Sequence, residues 1–253
     1  MIHTLMGQRI LITRPRDQGE GLRRAILALG GEVLWIPAIE TVPSPLSDGE
    51  RSLLRELGAF AWLAFASANA VRYFLAAAEV EGIKLPAHLR VAAVGMGTAK
   101  ALEAKGLTVH ARPERATGAA LAQHLVSSHR PARLLLPRGE SAREELAERL
   151  AAAGWEVVPL VCYRTRPAPL RPDQIFAIEQ GVHASVFASP SAVRALWENL
   201  PETGREAIRR SRCLPIGPTT AEALLEMGLK AAAVPQDHSV EGIVAALEKL
   251  AVP

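Results

Sequence analysis

Phe65-Ala66-Ser67-Ala68-Asn69-Ala70-Val71-Arg72 returns further along the chain as Phe187-Ala188-Ser189-Pro190-Ser191-Ala192-Val193-Arg194, at an offset of 122 residues. The same offset relates Val94-Gly95-Met96-Gly97-Thr98-Ala99 to Ile216-Gly217-Pro218-Thr219-Thr220-Ala221, Gly106 to Gly228, Pro113 to Pro235 and Thr117 to Ser239. Upstream, Arg9-Ile10-Leu11-Ile12 matches Arg133-Leu134-Leu135-Leu136 and Gly30 matches Gly154, at an offset of 124. One small length difference aligns the two halves throughout, a register that chance similarity does not hold. The chain reads as an internal duplication.

Each half reads strand, helix, strand, connector, and then helices alternating with further strands. The runs at 61–65, 90–94, 184–187 and 213–216 are short and continuously apolar, as expected of a parallel sheet covered on both faces. Helices with Leu22, Ile26 and Leu29, or Leu146 and Leu150, along one face supply right-handed crossovers between them. The expectation is an α/β protein with ten strands, about five in each of two doubly wound parallel sheets.

The connectors complicate a cut at the repeat boundary. Pro37-Ala38-Ile39-Glu40-Thr41-Val42-Pro43-Ser44-Pro45 corresponds to Pro159-Leu160-Val161-Cys162-Tyr163-Arg164-Thr165-Arg166-Pro167. Proline disfavours helix at and before itself, and the interiors have strand character. Two such segments can run antiparallel as a hinge, the chain leaving the first domain near residue 40 and returning near 165. Domains divided near residue 130 fit the pattern equally well.

The 253 residues, 49% of them hydrophobic, suffice for two domains with separate cores. The net charge of +3 comes with dispersed arginines rather than a basic stripe, and only 4% of residues are aromatic, so no nucleic-acid partner is expected. A mildly basic surface attracts polyanionic small molecules, although the same charge serves solubility. Cys162 and Cys213 form no C-x-x-C pair, which points to a reducing, cytoplasmic setting without disulfides. Met1 to Leu5 carry no signal-peptide pattern, and no apolar run approaches the roughly 20 residues of a membrane span.

In open α/β sheets, ligands sit beyond the carboxyl ends of the strands, where the following helices begin. Ser67, Thr98, Thr117, Ser141, Ser189, Thr219, Thr220 and Ser239 all fall at or near such starts. Helix N-termini attract anions through free N–H groups and the helix dipole. Plain N-capping selects the same residue types. Arg14 and Arg138 occupy equivalent places past the first strand of each half, where a guanidinium can take a carboxylate bidentately or simply face solvent. Tyr163 lies in the second connector; at neutral pH a phenol is a hydrogen-bond and proton donor, or a packing residue.

Other chemistries lack their signatures. Gly95-Met96-Gly97-Thr98-Ala99-Lys100 has neither the third glycine of a dinucleotide fold nor Walker spacing. His124 and His129 are five residues apart, off one helical face, and no metal site is expected. No G-x-S-x-G elbow is present. A periplasmic-type binding protein would share hinge and duplicated sheets but calls for an export signal, and a nucleotide-sugar glycosyltransferase calls for a clearer diphosphate loop.

Over essentially its full length the chain resembles the uroporphyrinogen-III synthases. The resemblance rests on Ile10-Leu11-Ile12-Thr13-Arg14-Pro15, Phe65-Ala66-Ser67, Val94-Gly95 with Thr98-Ala99, Phe187-Ala188-Ser189-Pro190-Ser191, and Ile216-Gly217-Pro218-Thr219-Thr220-Ala221. It implies two α/β domains joined by a two-stranded β-ladder, residues 1–38 with 167–253 forming one, 43–161 the other, and 38–43 with 161–167 the ladder. It also implies a monomeric lyase without a cofactor, which holds hydroxymethylbilane, a linear tetrapyrrole with eight carboxylates, between the domains. The product is uroporphyrinogen III, formed with loss of water and inversion of the terminal pyrrole ring through a spiro intermediate, a step of heme and porphyrin biosynthesis. Val161-Cys162-Tyr163-Arg164 falls where that family carries its most mutation-sensitive tyrosine, making Tyr163 the candidate catalytic residue. Candidate substrate contacts are Arg14, Ser67, Gly97, Thr98, Arg138, Ser141, Ser189, Ser191, Thr219 and Thr220.

Overall fold

A computed structural model describes residues 4–251. The chain begins with strand β1 (Arg9–Ile12), helix α1 (Arg16–Ala28), β2 (Glu32–Trp35) and β3 (Ile39–Pro43). It continues through α2 (Asp48–Arg55), β4 (Trp62–Phe65), α3 (Ala68–Val80), β5 (Arg90–Ala93), α4 (Met96–Glu103), α5 (Gly118–Ser128), β6 (Arg133–Gly139) and α6 (Glu145–Ala152). The long strand β7 (Glu156–Pro167) then leads to α7 (Pro172–Glu179), β8 (Ala184–Phe187), α8 (Pro190–Asn199), α9 (Glu202–Arg210), β9 (Arg212–Pro215), α10 (Pro218–Glu226) and α11 (Val240–Ala251).

The chain divides into two compact units, Met1–Glu40 with Arg166–Pro253, and Thr41–Thr165. The first holds a sheet in the order β2-β1-β8-β9, every pair parallel. In the second sheet, β3-β7-β6-β4-β5, the four strands from β7 to β5 are parallel. Position for position, β7-β6-β4-β5 repeats the order β2-β1-β8-β9. The first two strands of the chain thus share a sheet with strands from its last third. At the crossings, Ser44 N–H donates to Cys162 C=O and Ala168 N–H to Ala38 C=O, both at 2.9 Å. Their reversed order makes β3 and β7 antiparallel, and Arg166 reaches Glu40 across them at 2.8 Å.

Strand alternation explains the continuous apolar runs. Successive side chains point to opposite faces, so a strand buried on both faces has no polar positions. Leu63 and Phe65 of β4 pack with Phe74 and Leu102 on one face, whereas Trp62 and Ala64 pack with Leu121, Leu125 and Leu150 on the other. In the first unit Leu11 joins the cluster of Val193 and Leu196, while Ile10 and Ile12 join that of Leu22, Ile26 and Leu247.

Of the ten expected strands eight form among the described residues, and the connector strand β3 brings the total to nine. The fifth strand of each repeat shrinks to a single parallel bridge, Ala92 with Ala111 and Cys213 with Ala231. In the second unit the cause is local. The Val91 C=O accepts the His110 and Ala111 N–H groups, but the Val91 N–H donates to the imidazole Nδ1 of His110 at 3.1 Å and not to a backbone carbonyl, and Pro113 soon removes a backbone donor. Pro235 follows the bridge at Ala231 in the same way.

Candidate active site at the switch points

In each sheet two adjacent strands send their connections in opposite directions, and the crevice beyond their carboxyl ends is where an open α/β sheet binds ligands. These pairs are β1 with β8 and β6 with β4. In the second unit the crevice is a cavity of about 360 Å³ lined by Ser67, Thr117, Arg138, Gly139, Arg143 and Tyr163. Three of the expected residues, Ser67, Arg138 and Tyr163, are therefore brought together there. Gly97, Thr98 and Ser141 do not line it.

Ser67 ends the turn after β4 in extended conformation and accepts the Ala70 N–H at 3.1 Å, capping α3. The capping alternative is thus realised, yet the same Oγ lies 3.2 Å from the Tyr163 hydroxyl. Thr117 and Ser189 cap α5 and α8 likewise, each at 3.1 Å. Thr98 and Thr220 are buried in the first turns of α4 and α10, leaving Gly97 and Thr219 exposed beside them.

Tyr163 reaches the cavity because of an irregularity in β7. The parallel register pairs Arg138 with Val161 but Gly139 with Tyr163, skipping Cys162. One extra residue turns the side-chain alternation over, as a β-bulge does beside many active sites. Cys162 points instead into the core, where burial pushes its thiol up to about 12. Burial likewise raises the Cys213 thiol to about 11, so neither cysteine is an available thiolate nucleophile.

The Arg138 guanidinium is buried and already engaged. Its two terminal nitrogens meet Glu144 at 2.5 and 2.6 Å, and Nη2 also donates to the Ala142 carbonyl. The hydrogen bonds from Arg138 hold the Glu144 carboxyl below its usual range. A carboxyl with a lowered folded-state value contributes stability above its unfolded value, and that contribution is lost as pH falls through the folded one. Stability should therefore decline on acidification below about pH 4, the ordinary carboxylate value. Glu144→Gln should flatten part of that limb in urea melts compared at pH 7 and pH 3. Arg143, exposed and without an ion pair among the described residues, supplies the cavity's unspent positive charge.

At the first unit's switch point, Thr13 Oγ1 donates to Val186 C=O at 2.8 Å, pinning β1 to β8. Trp35 Nε1 donates to the Arg14 carbonyl at 2.9 Å. Arg14 Nε is buried with no hydrogen-bond partner, and desolvation lowers the guanidinium's pKa. The Ser189 and Ser191 hydroxyls lie 2.9 Å apart at the start of α8. His238, absent from the sequence-derived candidates, packs over Gly217, where a Cβ would fall 2.7 Å from its Nε2. Its counterpart in the other half, Ala116, covers Gly95 in the same way, so only the repeat alignment marks the position.

Among the described residues no cluster of three metal-ligating side chains occurs, and no helix is long and apolar enough to cross a membrane. The family model described as uroporphyrinogen-III synthase HemD matches residues 20–245. The uroporphyrinogen-III synthase of Salmonella typhimurium is 31% identical over 94% of this chain and 99% of its own. That of Synechococcus elongatus is 28% identical over 98% of this chain and 97% of its own. A variant uroporphyrinogen III synthase of Thermus thermophilus superposes with a TM-score of 0.56 at 26% identity, over 96% of this chain and 98% of that one. The Helicobacter pylori enzyme shares the fold, with a TM-score of 0.65 at 18% identity over 96% and 99%. With a model match across most of the chain and a near full-length relative above 30% identity, the chain belongs to the uroporphyrinogen-III synthase family.

Proposed function

We propose that the chain cyclises hydroxymethylbilane to uroporphyrinogen III, with Tyr163 as hydrogen-bond donor to the departing hydroxyl and the switch-point residues as contacts for the substrate's carboxylates. The observation that carries this reading is the Tyr163 phenol, aimed into the second unit's cavity and bonded to Ser67. The pyrrole nitrogen's electrons expel the hydroxyl as its C–O bond breaks, and a donated proton makes it water. The resulting azafulvene carbon is attacked by the substituted carbon of the terminal pyrrole, forming the spiro C–C bond. The spiro carbon's original bond to the neighbouring ring's methylene then breaks, leaving a second azafulvene there. The terminal ring's free α-carbon attacks that methylene to close the macrocycle with the ring inverted, and loss of a proton restores the aromatic pyrrole. One water is lost in all, and no electrons are exchanged with a cofactor.

An anion holder needs uncompensated positive charge, and this favours Arg14 and Arg143 over Arg138, whose charge Glu144 neutralises. A desolvated guanidinium lacking a partner gains most from a carboxylate. Arg14→Ala and Arg143→Ala should each raise KM about tenfold or more, the scale of one charged hydrogen bond. The increase should shrink as salt screens the pair. Steady-state assays at low and high ionic strength check this, and an unchanged KM at low salt assigns the arginine to ordinary surface. Ser67, Gly97, Thr98, Ser141, Ser189, Ser191, Thr219 and Thr220 complete the proposed contacts, through hydroxyls and the N–H groups of the helix starts.

The chain is further proposed to act as a monomer in the cytoplasm without a nucleic-acid partner; two unpaired, buried thiols suit a reducing compartment. The deciding experiment is incubation with hydroxymethylbilane and separation of the porphyrin isomers after oxidation. Type III above the type I background supports the reading, and type I alone overturns it.

A further inference from the structure

The Tyr163 ring is held on two sides by groups that the proposed chemistry does not itself use. On one side is Gly139 of β6, its register partner across the bulge; a Cβ at Gly139 would lie 2.8 Å from the ring carbon Cζ, 2.9 Å from Cε2 and 3.1 Å from the hydroxyl. That approach is closer than any real side chain tolerates, so the ring rests on bare backbone. Against the ring also stacks Tyr73 of α3, with centroids 5.2 Å apart and planes 19° from parallel. Tyr73 is itself fixed: its hydroxyl donates to the Thr41 carbonyl and lies 3.1 Å from Thr41 Oγ1, and the Arg72 guanidinium sits 4.7 Å from its ring centroid.

We infer that Gly139 and Tyr73 are positioning residues, a seat that fixes the Tyr163 phenol at the Ser67 hydroxyl and aims its proton into the cavity. This deepens the assignment of Tyr163 as donor and rests on it. The physical need is plain. A phenol on a strand can swing about two side-chain torsions, whereas a proton donor must stay within hydrogen-bond reach of its target. Misplacement by about 1 Å can cost on the order of 10²-fold in rate. Either hydroxyl can donate in the Ser67–Tyr163 pair; Ser67 Oγ, accepting the Ala70 N–H, still carries its own proton, and when that proton goes to the Tyr163 oxygen the phenolic proton is free for the substrate. Offset stacking on Tyr73 limits ring rotation, and Gly139 sets the depth to which the ring sinks.

The test measures kcat and KM of the full-length protein carrying Tyr73→Leu or Gly139→Ala, each alone and combined with Tyr163→Phe. Alone, each should lower kcat roughly tenfold to 10²-fold with KM within about twofold. Tyr73→Phe, which keeps the stacked ring, should recover most of the rate lost in Tyr73→Leu. Combined with Tyr163→Phe, neither should lower kcat further, because residues acting through one group are non-additive. Unchanged kcat in the single variants, or an equal fall in both backgrounds, overturns the inference. Wild-type turnover by Tyr163→Phe would instead defeat the donor assignment. The seat is then decided by ring NMR, which the presence of only two tyrosines makes simple to assign. An upfield shift of the Tyr163 ring protons that disappears in Tyr73→Leu supports the seat, and spectra unaltered by that substitution overturn it.

Discussion

Replacement of Tyr163 by phenylalanine is expected to lower kcat by about 10²–10⁴-fold, the usual worth of a positioned general acid, while the remaining product stays mostly type III. Phenylalanine keeps the ring that stacks on Tyr73 and fits over Gly139, so packing is preserved. Only the hydroxyl beside Ser67 is lost. The pyrrole supplies its own driving force for expelling hydroxide, and unassisted ring closure leads to the type I isomer. Selectivity for type III therefore comes from holding the tetrapyrrole folded back, an orientation effect that can amount to several kcal/mol and does not depend on one proton. Rate and isomer ratio should separate in this variant. Full turnover would reduce Tyr163 to packing, and a slow reaction giving mainly type I would make it a determinant of substrate shape instead.

The turns that carry the repeat were the most legible part of the chain. Phe65-Ala66-Ser67 and Phe187-Ala188-Ser189 each announce a strand end, a crossing and a helix cap. The structure closes β4 at Phe65 and β8 at Phe187, with Ser67 and Ser189 accepting N–H groups three residues on. These features are local, and local propensities and caps are written in the residues themselves. The fold class follows from them, since capped helices between wholly apolar strands leave little besides a parallel α/β sheet.

What escaped the sequence depends on contacts between segments. Arg138 reads either as a carboxylate holder or as a solvated guanidinium, and neither reading contains the ion pair that the turn after β6 makes with Glu144, six residues away. No periodicity predicts a bulge at Cys162, yet the skip alone decides whether Tyr163 or Cys162 meets Gly139. Tyr73 lies on a helix whose amphipathic pattern says only that it is half-buried, not that a second phenol stacks there. The fifth strand of the second unit failed for a related reason: Val109 and Ala111 have strand character, but His110 Nδ1 accepts the Val91 N–H in place of a backbone carbonyl.

A fragment of residues 41–165 is expected to fold alone and melt cooperatively, whereas residues 1–130 should form no compact unit. The first fragment retains β4 through β7 and both clusters that cover their sheet. The second keeps β4 but lacks β6, its parallel neighbour, together with α6. Leu134, Leu135, Leu136, Leu146 and Leu150, all buried in the whole protein, are then missing from the core. At roughly 1.5–3 kcal/mol per buried side chain, the loss approaches or exceeds the about 5–15 kcal/mol that holds a domain folded. The fragment's other sheet is worse placed, because β1 has lost β8 and retains only β2. Cutting at 41 and 165 instead severs β3 and β7 near the ends where they pair, and leaves the parallel strands intact. Circular dichroism melts and amide dispersion of the two fragments decide the matter. A cooperative 1–130 fragment beside an unfolded 41–165 would place the folding boundary at the repeat, and not at the two crossings.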